Sequence, residues 1–287
     1  MESRENRRNT VLLHLSVMLF GLSGVLGRYI TVSALVITWG RVVCSAVVLL
    51  LLLLLRRQSL RLERKLDWLL LIVAGAVQAV HWVTFFHSIQ ISSVAIGTIT
   101  FSTFPLFLLF LEPLVFHVRF RPRNLLFAAL LLLGVFITIP EFSLANQVTL
   151  GIVFGMICSL LYAVLVLFNR DLSRRYPSGK VCFFEQAAAA IILLPAALLS
   201  HPAAGPRDIV CIILIGVVCT ALAFSMFVAA QRTVSTQTAG IVSGLETVYG
   251  IVFALLLLRA VPTAREIIGG VIILATAMLA TWKSGES

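Results

Sequence analysis

Few side chains in this sequence are suited to chemistry, and those that are stand singly inside long apolar runs. Glu246 shares one broad helical side with Gly240, Ser243, Tyr249 and Gly250. Small and polar, that side suits the wall of a cavity. A carboxylate there meets a cationic group, exchanges a proton, or is tied structurally to a neighbouring helix. Arg41, with Thr38 and Ser45 on its face, carries a planar, permanently charged fork. It fits an anionic group, an ion pair with a glutamate across the bundle, or a stem reaching outward to water. His81 and Trp82 lie on one side of a helix with Gln78 and Phe85. The imidazole titrates near neutral pH and the indole offers a flat wall with one donor; the alternatives are a hydrogen-bonded histidine and an interfacial tryptophan. Glu112 shares the face of Thr98, Ser102 and Pro105, and Pro113 directly after it frees a carbonyl, so a kink or unwound turn is expected there. The other reading pairs Glu112 with Arg119 or Arg121.

Several chemistries have no residues to serve them. HExxH, GxSxG and the GxxxxGK[ST] phosphate loop are absent. The five cysteines, Cys44, Cys158, Cys182, Cys211 and Cys219, occur singly in or beside apolar spans and read as small hydrophobes. No cofactor, metal or enzymatic activity is expected.

The elements that must position these residues are apolar helices. The chain of 287 residues is 60% hydrophobic, its mean hydropathy is +1.06, and a bilayer core needs about 20 apolar residues per helix. Ten spans are predicted: Val11–Gly27, Ala34–Leu55, Trp68–His87, Val94–Phe116, Leu125–Pro140, Leu150–Phe168, Val181–Leu199, Ile209–Ala229, Thr238–Leu258 and Ile267–Trp282. The first reads as a retained helix rather than a signal peptide. Of the 22 Lys and Arg residues, seventeen fall on the side of the termini, four (Arg28, Arg207, Arg259, Arg265) fall opposite, and Arg41 is inside a helix. By the positive-inside rule both termini are cytoplasmic. The net charge of +10 is therefore topological, and no nucleic-acid partner is expected. Arginine far exceeds lysine, which points to a GC-rich bacterial genome and a cell inner membrane. No loop is long enough for a soluble output domain, so work is done within the bilayer, as in a carrier driven by a gradient.

A weak internal repeat brings residues 11–140 over residues 150–282. Gly75 through Ile99 matches Gly216 through Val242, each with a glycine on one helix and a small-residue run opening the next. Five helices per repeat is an odd number, so the second copy enters the membrane inverted, a common plan of secondary transporters. Glu185-Gln186 falls in the stretch that matches Arg41, as an alternate gate or as an interfacial pair near the cytoplasmic end. Gly151/Gly155, Gly240/Gly244 and Gly21, Gly24 and Gly27 are spaced for close helix packing. The run Leu49–Leu55 reads as lipid-facing or packing surface.

Phe20-Gly21-Leu22-Ser23, Gly40-Arg41, His81 through Phe86, Thr103 through Phe107, Leu111-Glu112-Pro113-Leu114 and Leu245 through Gly250, in this order and spacing, resemble the ten-helix EamA-type members of the drug/metabolite transporter superfamily. Where members often carry Gly-Glu at the ends of the fourth and ninth helices, this chain has His117-Val118 and Arg259-Ala260, and Thr247 stands where proline often follows the glutamate. The resemblance implies an all-α membrane protein of ten transmembrane helices in two inverted five-helix repeats. It further implies efflux of a small-molecule substrate, an amino-acid-like compound or related metabolite, by alternating access and with proton exchange; the alternatives are an uptake carrier of the same fold and a membrane receptor or scaffold without transport. Glu246, His81, Trp82, Arg41, Tyr249, Gln78 and Ser243 are expected along its pathway, with Glu112 at the inner mouth.

Overall fold

The protein is described by a computed structural model covering residues 2–116, 123–141, 143–200, 203–230 and 236–285, with backbone alone at 2–7, 116, 123–124, 236–241 and 280–285. Every regular element among these residues is helical. Lipid offers no water to backbone N–H and C=O groups, so a chain this apolar closes its hydrogen bonds within each segment. The helices are α1 (Glu2–Tyr29), α2 (Ala34–Leu55), α3 (Lys65–Ile91), α4 (Val94–Phe101), α5 (Phe104–Phe116), α6 (Arg123–Thr138), α7 (Gln147–Arg175), α8 (Ser178–Leu199), α9 (Pro206–Gly216), α10 (Ala223–Ala230), α11 (Thr236–Phe253) and α12 (Ala264–Gly285). A π-helical turn, Val217–Leu222, joins α9 to α10, and a second, Ala254–Leu258, extends α11.

Seven described stretches are long and apolar enough to cross a membrane: Arg8–Tyr29, Ala34–Leu55, Lys65–Ile91, Val94–Val115, Gln147–Arg175, Ser178–Leu199 and Pro206–Ala230. Leu125–Thr138 and Val242–Leu258 are apolar but shorter. The fourth stretch is interrupted earlier than Pro113 led us to expect. Pro113 is accommodated inside α5, and the break falls at Ser102 and Thr103, between α4 and α5. Pro105 sits in the first turn of α5, where its missing N–H costs nothing, and the Thr103 hydroxyl donates to the Thr100 carbonyl at 2.7 Å.

Polar residues open several helices. Asn146 Oδ1 accepts from the N–H groups of Val148 and Thr149 at 2.9 and 3.3 Å, and Ser93 Oγ accepts from Ile96 N–H at 3.0 Å. Large aliphatic side chains cover the outside, among them Leu51, Leu55, Ile72, Leu132, Ile191 and Leu256. The leucine run of α2 does both things expected of it: Leu49 and Leu53, four apart, are buried, while Leu51, Leu54 and Leu55 face out.

The helices pack in matched pairs. α3 lies on α7 and α10 on α1; α4 and α5 also lie on α7, as α11 does on α1; α8 packs on α3, and α9 on α2. Two further pairs, α2 with α8 and α6 with α12, complete the bundle. Close backbone approach marks these seams. A Cβ on Gly75 would sit 2.7 Å from the Glu185 carbonyl oxygen, and one on Gly216 would sit 2.9 Å from that of Arg41. A Cβ on Gly134 would meet the carbonyl of Gly269 at 3.0 Å, and one on Gly269 that of Gly134 at 2.6 Å. Gly21, Gly151 and Gly155 are equally tight, but Gly244 has only Leu274 Cδ2 at 3.7 Å. Gly244 therefore marks no close helix approach; the side-chain surroundings of Gly240 lie outside the described residues.

Both ends of the bundle are tied. At one, Asp208 accepts from the Thr31 N–H at 2.9 Å and the Thr31 hydroxyl at 2.8 Å, Arg28 donates to the Gln90 carbonyl, and Ser93 Oγ donates to Glu266 at 3.0 Å. At the other, Asp67 pairs with Arg175 and accepts from the Tyr176 hydroxyl at 2.5 Å. Burial, and then that bond to Asp67, raise the Tyr176 phenol above its ordinary pKa.

Candidate functional site

The polar candidates converge on one cavity walled by α1, α2, α3, α4, α7, α10 and α11. Arg41 enters it from the second turn of α2. It is 2% exposed, its guanidinium carbon stands 3.9 Å from the centroid of the Trp82 ring and 5.2 Å from that of Phe86, and Nε donates to Thr220 Oγ1 at 2.9 Å. A cation over an aromatic face in a desolvated setting gains about 2 kcal/mol. Thr220 belongs to the π-helical turn, and its own hydroxyl donates five residues back, to the Ile215 carbonyl at 2.8 Å. The extra residue of that turn thus gives Arg41 its acceptor, while Gly216 seats the turn directly on α2. Such π insertions recur at functional sites.

Glu246, the other charged residue of the wall, comes from α11 and is 6% exposed. The ion pairs formed among the described residues are Arg170–Glu112, Arg175–Asp67 and Arg175–Asp171. Arg41 and Glu246 therefore face the same space without contacting each other. Their opposite signs are held there by the neighbours of Glu246. Thr247 donates to the Thr98 carbonyl at 2.8 Å and shares a 2.5 Å hydrogen bond with Ser102, where α4 ends. Behind Glu246, α1 comes so close at Gly21 that a Cβ would lie 3.1 Å from the Glu246 carbonyl oxygen.

His81 contributes a fixed ring. Its Nδ1 lies 2.9 Å from the Cys158 carbonyl oxygen and 3.2 Å from Cys158 Sγ. A carbonyl only accepts, so this bond assigns the proton to Nδ1. The ring centroid is 5.4 Å from that of Tyr162 and 5.8 Å from that of Phe101. Phe20, Phe85 and Phe224 complete an aromatic lining, Phe224 edge-on to Trp82 at 6.0 Å. Gln78, also on the wall, accepts from Gln186 Nε2 at 3.3 Å.

Of the residues singled out in the sequence, the structure brings together Arg41, Gln78, His81, Trp82 and Glu246. Ser243 is buried one turn before Glu246. Tyr249 leans on α1 instead: a Cβ on Gly21 would meet the Tyr249 Cβ at 2.9 Å. Glu112 pairs with Arg170 at 2.8 Å, both side chains more than a third exposed, away from the cavity lining. Arg119 and Arg121, its expected partners, lie outside the described residues. Glu185, read as a gate or an interfacial residue, is fully buried. Sequence reasoning missed Tyr162, Phe224 and Thr220. The repeat held the signal for two of them, because one spacing carries Phe20 to Tyr162 and Trp82 to Phe224. Among the described residues no group of three His, Cys, Asp or Glu side chains is placed to hold a metal ion.

This arrangement, a charged, aromatic cavity inside an apolar bundle, can bind a small polar molecule and shield it from lipid. Comparison with known proteins agrees in kind. An uncharacterized transporter of Archaeoglobus fulgidus is 24% identical over 200 residues, covering 70% of this chain and 71% of that one. A protein solved by crystallography shares the fold with a TM-score of 0.70 at 16% identity, over 98% of both chains. The model of the EamA-like transporter family matches residues 9–139 and again residues 149–282. With nearly its whole length so matched, this multi-pass membrane protein belongs to the EamA-like transporter family, within the drug/metabolite transporter superfamily.

Proposed function

We propose that the protein is a secondary carrier that moves a zwitterionic, amino-acid-like metabolite by alternating access, in the direction of export. The observation that carries this reading is the placing of Arg41 and Glu246 on one cavity wall without a bond between them. The fork of Arg41 suits a carboxylate, Glu246 suits an ammonium group, and the rings of Trp82, Phe101 and Tyr162 suit an apolar side chain between. A ligand that satisfies both charges relieves the desolvation that each bears alone. The export direction comes from the family resemblance, as does proton exchange as its driving force.

In this reading the chain is built as ten transmembrane helices, in two inverted five-helix halves, 11–140 and 150–282, with both termini cytoplasmic in a cell inner membrane. The helix pairings support it. Exchanging the halves turns α3 on α7 into α10 on α1, α4 and α5 on α7 into α11 on α1, and α8 on α3 into α9 on α2, and it maps α2–α8 and α6–α12 onto themselves. Two alike halves of opposite orientation give two alike conformations around a shared site.

The test is flux in liposomes under an imposed pH gradient, with a panel of amino acids and related metabolites. Saturable flux in the wild type, lost in Glu246→Gln, is expected. Flux for no compound from folded protein would overturn the carrier reading, and undiminished flux in the variant would remove Glu246 from the site.

A further inference from the structure

Glu185 takes no part in the cavity lining, yet it is an ionisable group buried deep in the bundle. It lies two turns into α8 with 0% exposure, and among the described residues neither of its carboxyl oxygens has a hydrogen-bond partner. Its surroundings repeat the pattern. Gln186 donates to Gln78 at 3.3 Å, which leaves Gln78 Nε2 and Gln186 Oε1 unsatisfied. Cys182, one turn before Glu185, lies within hydrogen-bond reach of the Ser225 hydroxyl. The seam between α3 and α8 is tight here, since a Cβ on Gly75 would lie 2.6 Å from Ala188 Cβ. Gln78 also belongs to the cavity wall, so the cluster touches the cavity at one point.

Buried polar atoms left unmade are costly, and a half-satisfied network is worse than an apolar one. An ionised carboxylate in this place is costlier still, because among the described residues no cation answers it. Arg41 of α2 is bound to Thr220 and covered by Trp82. On α3, Asp67 is held by Arg175 and Tyr176 and His81 by Cys158. On α7, Arg170 pairs with Glu112, Arg174 is exposed, and Cys158 and Tyr162 stand at the cavity. The described helix α10 carries no charged residue, and Lys180, on α8 itself, donates to the Arg61 carbonyl. A metal cation is poorly served by one carboxyl group beside an amide that presents an unpaired donor. A proton needs nothing more than the carboxyl.

We propose that Glu185 is a proton-binding site separate from Glu246, loaded in the conformation described, which gives up its proton to water that enters past Gln78 when α3 and α8 part and the cluster is hydrated. The site stands or falls on its own; its use in driving transport rests on the carrier reading above.

Infrared difference spectra of the full chain in lipid, titrated from acid to alkaline pH, read the proton directly. The wild type is expected to show the C=O band of a buried neutral carboxyl that bleaches as pH rises. Glu185→Gln should lose that band and Glu185→Asp should keep it at a shifted frequency, so the carboxyl remains traceable if the amide variant folds poorly. No titrating band, a band that Glu185→Gln leaves unchanged, or a band displaced by sodium at constant pH would each overturn the proposal. In liposomes, Glu185→Gln should retain amino-acid exchange and lose gradient-driven accumulation at least tenfold; full accumulation would overturn the coupling role. A wild type that shows the band but no flux would sink the carrier reading and leave the proton site standing.

Discussion

Asp67 and Asp208 are separated by the same stretch of sequence as Gly75 and Gly216, and each grips a loop of the other half of the chain. Asp67, in the first turn of α3, holds Arg175 and Tyr176 where α7 ends. Asp208, in the first turn of α9, holds Thr31 after α1. The two acids thus latch opposite ends of the bundle, and both latches are closed together. Native thiols report on each. Asp208→Asn should raise the maleimide reactivity of Cys211 several-fold and leave that of Cys182 unchanged, and Asp67→Asn should do the reverse. Equal rates in both variants would show that the latches do not control access.

Arg41→Lys keeps the charge but loses the planar stack on Trp82 and the Nε bond to Thr220. Stability should fall by about 1 kcal/mol, part of the cation–aromatic contact, since a lysine cation can still lie near the ring, read as a lower melting temperature in detergent, and amino-acid flux should fall at least tenfold. Flux equal to wild type would mean that a point charge suffices at this position.

Thr220→Val preserves shape and removes a hydroxyl that both donates to Ile215 and accepts from Arg41. Leaving the buried guanidinium short of a partner should cost about 1–3 kcal/mol. The π-helical turn should tighten at the same time, visible as altered hydrogen exchange across residues 215–222.

Gly75→Ala and Gly216→Ala each force a methyl against a backbone carbonyl, at 2.7 and 2.9 Å. Both should destabilise by about 1–3 kcal/mol, as overpacking does. Gly179→Ala, whose nearest foreign atom would be 3.9 Å away, is the tolerated control, and all three are checked by thermal melts.

Arg259 ends the second π-helical turn with φ 54°, a left-handed conformation that penalises side chains. Arg259→Gly should relieve that penalty and, after the larger chain entropy lost on folding, still raise stability by about 0.5 kcal/mol.

Much of this was legible before the structure. Ionisable side chains in lipid must turn inward, and that rule sufficed to gather Arg41, His81 and Glu246. Gln78 and Trp82 followed because they share the helical side of His81. Glu112 departs from the rule because its depth lets it reach Arg170 at the end of the bundle. Tyr249, one turn past Glu246, was read as facing the same way, yet the small surface of Gly21 draws it against α1. The break at Ser102 and the π-helical turn at Thr220 left no mark in composition. Both are changes in which carbonyl an N–H meets, and apolar side chains on either side are compatible with either choice. Glu185 looked interfacial by position along its span; its burial follows from the packing of α8 on both α2 and α3, which no single helix encodes.

The unpaired charges of the cavity have an electrical consequence. With Arg41 and Glu246 both ionised, the empty walls sum to zero, and a bound zwitterion adds nothing to that sum. A membrane voltage acts with about 2.3 kcal/mol per elementary charge for each 100 mV, so in the carrier we propose it would have no purchase on the loaded state and would fall wholly on any proton exchanged. Current recorded across the membrane would then count protons and not cargo.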